Sequence, residues 1–445
     1  MVRIPRSVKR FARVFVDNAH ELYIVGGAVR DALLGKPLDD YDFATSATPE
    51  EVKELFRRVI PTGIQHGTVT VLFEGSQFEV TTYRVDGDYS DRRRPDGVTY
   101  TRSLTQDLAR RDFTVNAIAL DPITSEIVDP CGGRRDLAER IIRTVGCAAD
   151  RFSEDALRMV RAVRFTVTLG FDLSPEVPAA IRRCSGLLDH VSRERIATEL
   201  EKMNVAPQPS RGWRVFRETA LLERFIPELT EDQDSPIPVF DHLLGSCDCA
   251  PAEIPVLRWA ALFHDVGKPR CYAEDARGIH FHGHDEESAR MATAILERLR
   301  FSNERIQAVT HLVRHHMFGY ESEWSDAALR RFVSRVGPAE AFLLITLRRA
   351  DACGKAGRAV PSPILDEMED RLKTLIKEEP PLTRAQLAIN GRDLISELGL
   401  SPGPLLGIVL DELMQTVLDD PSRNDRQKLL EIARNFQKQR LNPGK

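Results

Sequence analysis

Apolar and polar positions divide the chain into two regimes. Up to about residue 145, short runs such as LYIVGG, GTVTVLF, SQFEVTTYR and NAIALDP are β-branched and either alternating or continuously apolar, which is the pattern of strands. Between them, AVRDALLG and TPEEVKELFRRV space their apolar residues for helix. In the second of these Thr48 is placed to cap, Pro49 to enter the first turn and Glu51 to close a capping box. From SEDALRMVRAVRF onward almost every segment reads as helix. The pattern predicts an α+β head followed by a long helical body. Prolines and polar residues gather near Gly146, at 206–212, at 231–238 and at 376–383. These breaks suggest a head over 1–145, a helical neck over 146–235, a helical body over 236–378 and a helical tail over 379–445.

Composition adds limits. The chain has 445 residues, 42% hydrophobic and 29% charged, a globular balance that leaves room for roughly three or four domains. No apolar run approaches the roughly 18 residues of a membrane span. The basic start MVRIPRSVKRFARVFVDNAHE lacks the apolar core and cleavage site of a secretion signal and reads as an amphipathic first helix of a cytoplasmic protein. Seven scattered cysteines argue against a disulfide framework and for a reducing compartment, and Cys247-x-Cys249 has no partner pair. A net charge of -5 does not mark a nucleic-acid binder. Basic clusters such as DRRRPDG, LARRDF, RMVRAVRF and the final helix can nevertheless hold phosphates locally.

Candidate chemistry begins at VGGAVRDALLGKPLDDYDFAT. On a strand, Asp40 and Asp42 would point the same way, about 6 to 7 Å apart. Oxygen ligands on one face suit Mg²⁺, which takes a couple of carboxylates together with substrate phosphates and water. Gly26 and Gly27 would let backbone N–H groups approach a triphosphate at the start of a helix. Arg30 lies just inside that helix, and Asp31 is placed to cap it or to pair with the arginine.

The ordered set GGAVRDALLG, DDYDFAT, EVTTYR, RRDFTVNAIALDP and SEDALRMVRAVRF resembles the class II tRNA nucleotidyltransferases, the CCA-adding enzymes and bacterial poly(A) polymerases of the DNA polymerase beta-like superfamily. The resemblance implies an α+β nucleotidyltransferase head, with a polymerase beta-like sheet and helices, followed by an all-α neck, body and tail. It implies that Asp40 and Asp42 are catalytic metal ligands, with Glu79 a candidate third acid. Arg111 would lie near the phosphates and Asp112 near the ribose. Asp155 and Arg158, read as three apart on one helix face, would choose the base. Cytosine and adenine offer an amino donor beside a ring-nitrogen acceptor, whereas uracil and guanine offer a carbonyl beside a ring N–H. A carboxylate and a guanidinium therefore accept C and A and reject U and G, at about 1 to 3 kcal/mol per two-point pairing. Arg161 and Arg164 would steady phosphates or tRNA. The stretch YRVDGDYSDRRRPDGVTY matches a loop that the family uses for the final A, and here it has full length.

A second resemblance lies in the body. WAALFHDVGKPRC is similar to the HD phosphohydrolases, whose ligand set maps onto His242, His264, Asp265 and Asp351. His284 and His315, or His316 in its place, would complete a second metal position. Imidazole and carboxylate ligands suit Ni, Mn, Zn or Fe. Relatives carrying this domain resemble phosphodiesterases and phosphatases. The tail resembles the end of the same enzymes, where a basic helix would grip tRNA through its phosphates.

Together these readings imply template-independent transfer of CMP and AMP from CTP and ATP to a tRNA 3′ end, with Mg²⁺ in the head and a transition metal in the body. An A-adding specialist, a poly(A) polymerase and a protein that is chiefly an HD metal hydrolase stay open as alternatives.

Overall fold

A seven-stranded mixed sheet organises the first part of the chain. Its strands are β1 (Leu22–Val25), β2 (Asp42–Thr45), β3 (Val59–Gly63), β4 (Thr68–Phe73), β5 (Ser76–Thr82), β8 (Ala119–Leu120) and β9 (Ile127–Val128), in the order β3-β4-β5-β2-β1-β8-β9. A separate hairpin, β6 (Arg84–Asp86) with β7 (Val98–Tyr100), stands between β5 and β8 in sequence. The computed structural model describes residues 4–37, 41–86, 98–234, 238–276, 278–378 and 383–441. The parallel pair β2 and β5 sets Asp42 opposite Glu79 and Phe43 opposite Val80. Side chains alternate along a strand, so the two exposed acids share one face while Phe43, Phe78 and Val80 are buried on the other. That buried face is covered by α1 (Arg6–Asp17), whose Phe11 packs against Phe43 and Phe78 with ring centroids 5.2 and 4.5 Å away.

The head helices are α2 (Gly27–Leu33), α3 (Pro49–Leu55), α4 (Leu104–Ala109) and α5 (Gly133–Glu139). The Thr48 and Glu51 capping box forms at α3: the Thr48 amide donates to Glu51 Oε2 at 2.7 Å, and the Glu51 amide donates to Thr48 Oγ1 at 3.3 Å. Two sequence expectations shift here. Helix α3 stops at Leu55, and Val59 opens a strand instead of extending the helix. In NAIALDP only Ala119 and Leu120 are strand, because residues Thr114–Asn116 coil into a 3₁₀ turn whose buried side chains face inward.

Helices follow: α6 (Ala148–Glu154), α7 (Leu157–Thr168), α8 (Glu176–Cys184), α9 (Arg193–Asn204), α10 (Pro209–Glu218) and α11 (Leu222–Phe225). The chain divides into two compact units, Met1–Asp234 with Ile295–Phe301, and Ser235–Ala294 with Ser302–Lys445. The second is built on α12 (Phe240–Cys249), α13 (Pro255–Phe263), α14 (His284–Arg298), α15 (Asn303–His315), α16 (Asp326–Val336) and α17 (Pro338–Ala356). It continues through α18 (Pro363–Glu378), α19 (Gly391–Leu398), α20 (Pro404–Asp419) and α21 (Arg426–Leu441), the last three gathered on an apolar cluster of Leu394, Val409, Leu413, Val417 and Leu429. Helices α12 and α17 touch backbone to backbone: a Cβ on Gly354 would stand 2.5 Å from the Ser246 amide nitrogen. Only glycine at 354 permits that approach.

The same helix pair adds one bridge that the cysteine reading did not contain. Cys249 and Cys353, 104 residues apart, form a disulfide with Cα atoms 6.2 Å apart, while Cys247 is free and buried. Packing of α12 on α17 creates the pairing, and nothing local in the sequence announces it. No described helix is long and apolar enough to cross a membrane.

Candidate functional site

Two constellations stand out, one in each unit. The first is a cleft of about 420 Å³ lined by Gly26, Gly27, Arg30, Asp42, Arg110, Arg111, Asp112, Asn116, Asp155, Arg158, Arg161, Arg164 and Phe165. That volume lies within the usual range for small-ligand sites. Of the head and neck residues singled out from sequence, Gly26, Gly27, Arg30, Asp42, Arg111, Asp112, Asp155, Arg158, Arg161 and Arg164 converge there, whereas Asp31 and Glu79 are not in its lining. Asp40 and the loop residues 87–97 lie outside the described residues.

Gly26 turns the chain from β1 into α2 with φ of +72°, a conformation that side-chain-bearing residues avoid. A Cβ there would stand 3.2 Å from Arg111 Nη1. Replacing Gly26 with alanine is expected to cost about 1–3 kcal/mol in backbone strain and to push Arg111 out of place. Melting temperature should fall and the KM for nucleotide should rise; unchanged values for both would show that the turn tolerates a side chain.

The arginines are held by acids, each of which fixes one direction in the cleft. Arg30 grips Asp31 with Nε and Nη2 at 3.0 and 2.9 Å, so Asp31 pairs rather than caps, and Nη1 donates to Asn116 Oδ1 at 2.7 Å. Arg110 and Arg111 both reach the buried Asp107, at 2.9 and 3.2 Å. Arg161 forks onto Asp112 at 2.9 and 2.7 Å, and Arg164 meets the buried Glu199 of α9 at 2.5 Å. Burial alone would raise the Asp112 carboxyl; Arg161, Asn116 and the Phe113 amide outweigh it and hold the group below the ordinary aspartate value.

Asp155 departs from its expected setting. It sits in extended conformation between α6 and α7, so it shares no helix face with Arg158. Its carboxylate accepts two bonds from Arg195 of α9, at 2.7 and 3.3 Å, and Arg158 bonds Glu154 at 2.5 Å and the carbonyls of Arg151 and Arg110 at 3.2 Å each. Asp155 and Arg158 do not pair with each other in these contacts, yet both line the cleft. Sequence reasoning missed Asp107, Asn116, Phe165, Arg195 and Glu199. Asp107 was within reach, three and four residues ahead of the two arginines, as was Asn116, four after Asp112. Arg195 is 40 residues from its partner and carries no local signal.

The second constellation lies in the body unit. Single ligand atoms of His242, His264, Asp265 and Asp351 lie within 4.8 Å of one another, as do those of Asp265, His284 and His316. The Nε2 atoms of His242 and His264 are 3.1 Å apart. Asp265 serves both groups: Oδ2 lies 3.2 Å from His242 and 3.4 Å from His264, and Oδ1 lies 3.3 Å from His284 and 3.4 Å from His316.

Three of the imidazoles are oriented by backbone. Nδ1 of His264, His284 and His316 lies 2.9, 2.7 and 2.7 Å from the carbonyls of Ala261, Phe281 and Val313. A carbonyl only accepts, so each Nδ1 carries a proton and each ring turns its Nε2 toward the cluster. Asp265 Oδ1, His284 Nε2 and His316 Nε2 are buried without a hydrogen-bond partner, which is the donor set a cation satisfies.

Burial by itself would lower His264, but Asp265 and Asp351 overcome it and push its pKa up to about 9. Burial would raise both acids, and the surrounding imidazoles hold them well below the carboxylate range. His316, rather than His315, joins the cluster. Successive helical residues point about 100° apart, so one of the two can face Asp265. His315 instead rests on His311 one turn earlier, ring centroids 4.6 Å apart.

Residues 22–143 match the family described as the poly A polymerase head domain, residues 170–233 an RNA and SrmB-binding site of polymerase A, and residues 282–433 a tRNA nucleotidyltransferase domain 2. The chain is 37% identical to a CCA-adding enzyme of Anoxybacillus flavithermus, over 96% of each protein. It is 36% identical to one of Enterococcus faecalis, over 98% of this chain and 97% of the relative. Among solved structures, a Bacillus stearothermophilus CCA-adding enzyme in complex with CTP matches with a TM-score of 0.77 and 31% identity over 98% of both chains.

Proposed function

Because the chain belongs to the family of CCA-adding enzymes, we propose that it adds CMP and AMP from CTP and ATP to the 3′ end of tRNA and releases pyrophosphate. The observation that carries this reading is the convergence of Asp42, the glycine turn, the arginines and the Asp155–Arg158 set on one cleft. The family uses divalent metal, and we assign Mg²⁺ to Asp40 and Asp42, with Glu79 opposite Asp42 on the neighbouring strand. Bound there, such ions activate the attacking hydroxyl and steady the leaving pyrophosphate.

In this reading Arg30, Arg111, Arg161 and Arg164 receive the triphosphate, and Asp112 sits by the ribose. Asp155 accepts from the exocyclic amino group of C or A, and Arg158 donates to the ring nitrogen. A carboxylate offers about four lone-pair sites, so Asp155 can be pinned by Arg195 and still accept from a base. The protein works in the cytoplasm, where its tRNA is.

The body constellation favours a second activity. We infer that it is an HD-type centre in which His242, His264, Asp265, Asp351, His284 and His316 would hold Ni, Mn, Zn or Fe, which would supply the Lewis acid for hydrolysing phosphate esters such as a terminal or 2′,3′-cyclic phosphate on a tRNA end. The shared Asp265 between two ligand groups supports this.

Purified protein should complete CCA on tRNA transcripts ending before the CCA, after the first C and after CC. Incorporation of A on the last transcript alone would make it an A-adding specialist instead, and processive A addition without tRNA would make it a poly(A) polymerase. Replacing His264 with alanine should remove transition metal from the protein, measured by elemental analysis, and abolish phosphatase activity while CCA addition stays within about twofold of wild type, as expected for independent sites that share no residue. Chelation should stop both activities, with Mg²⁺ alone restoring addition.

A further inference from the structure

Three arginines of the cleft converge on one ring. The guanidinium carbons of Arg164, Arg30 and Arg161 lie 3.9, 5.3 and 5.6 Å from the centroid of Phe165, all within the distance at which a cation is drawn to an aromatic face. The ring is only 4% exposed and lines the cleft. It is held edge-to-face by Phe113 at 5.6 Å and 83°, and Phe113 in turn donates its amide to Asp112.

Three like charges gathered in a half-buried cleft repel one another. Each has an acid on its edge, Asp31 for Arg30, Asp112 for Arg161 and Glu199 for Arg164, and Glu199 also lies 3.6 Å from Arg161. Glu199 links Arg161 with Arg164, and the ring is the partner that all three cations share. Burial lowers Arg164, Glu199 opposes that, and its neighbours Arg161 and Arg30 lower it again, so Arg164 stays below the ordinary arginine value while Asp112 holds Arg161 above it. The ring's negative face is a fixed partner that offsets this repulsion without occupying a donor. An aliphatic side chain of similar size would fill the same space and supply no such field.

We propose that Phe165 is a positioning residue for nucleotide addition: its aromatic face gathers Arg30, Arg161 and Arg164 into the array that receives the triphosphate of the incoming nucleotide. The inference rests on the reading of this cleft as the nucleotide site. It acts at the phosphate end, so it raises or lowers the KM of CTP and ATP together and leaves the choice of C over U, made at Asp155 and Arg158, untouched.

The test replaces Phe165 with mono-, di- and trifluorophenylalanine by codon suppression in the full-length protein, which drains the negative face stepwise and nearly preserves shape. The KM for CTP and for ATP should climb through the series to about three- to tenfold at the trifluoro ring, the range that such contacts support, with kcat, the CTP-to-UTP preference and melting temperature unchanged. Binding of inorganic tripolyphosphate, measured by calorimetry, should weaken in parallel. A flat KM series and constant tripolyphosphate affinity, with F165L merely lowering the melting temperature, would overturn the proposal and leave the ring a core residue. If wild-type protein adds no nucleotide at all, the cleft reading fails on its own, and constant tripolyphosphate affinity across the fluorinated series still decides against the array.

Discussion

Replacing Asp42 with asparagine is expected to lower nucleotide incorporation by at least about a thousandfold, because a metal ligand in such a site supplies several kcal/mol of transition-state stabilisation. The fold should not suffer: Asp42 is exposed at the first position of β2, with the apolar face of the strand packed on the other side. Single-turnover extension of a CC-ended tRNA transcript with ATP measures the loss, and a melting curve checks the fold. Activity within tenfold of wild type would move the metal role elsewhere. The same assay on Glu79→Gln tests the third acid. Register places Glu79 beside Asp42 on the same face, so a loss approaching that of Asp42→Asn would make it a ligand, and a loss under about threefold, less than 1 kcal/mol, would make it a bystander.

The second large effect concerns which bases are accepted. Asp155→Ala should narrow the preference for CTP over UTP by roughly 10- to 100-fold, the worth of one two-point base pairing. Asp155→Asn should instead relax it, since an amide can turn its N–H₂ toward the carbonyl of uracil or its oxygen toward the amino group of cytosine. The ratio of kcat/KM for CTP and UTP on a transcript lacking CCA reads both variants. An unchanged ratio in Asp155→Ala would remove this carboxylate from base selection. Arg195→Met provides an internal comparison: it frees Asp155 from the fork at 2.7 and 3.3 Å without deleting the acceptor. Its loss of preference should therefore be smaller than that of Asp155→Ala.

Much of this site is legible before folding because its parts are local. The glycine turn at Gly26, the Thr48–Glu51 box and the alternation that turns Asp42 away from Phe43 all depend on residues a few positions apart, and the structure contains each of them. Asp155 shows where local reasoning stops. Its spacing to Arg158 suggested one helix face, but the chain breaks between α6 and α7 and leaves the carboxylate extended, held by an arginine from α9.

The sequence by itself determined the class of architecture, the ordered motifs and most of the residues that face the two centres, since periodicity and side-chain chemistry are carried by the chain. Tertiary packing alone decided that His316 and not His315 turns toward Asp265, that Cys249 finds Cys353, and that Arg30 of α2 reaches the Phe165 ring of α7. Each of these depends on the rotation and close approach of elements distant in sequence, set by contacts such as Gly354 on Ser246, and no local pattern encodes the angle at which two helices meet.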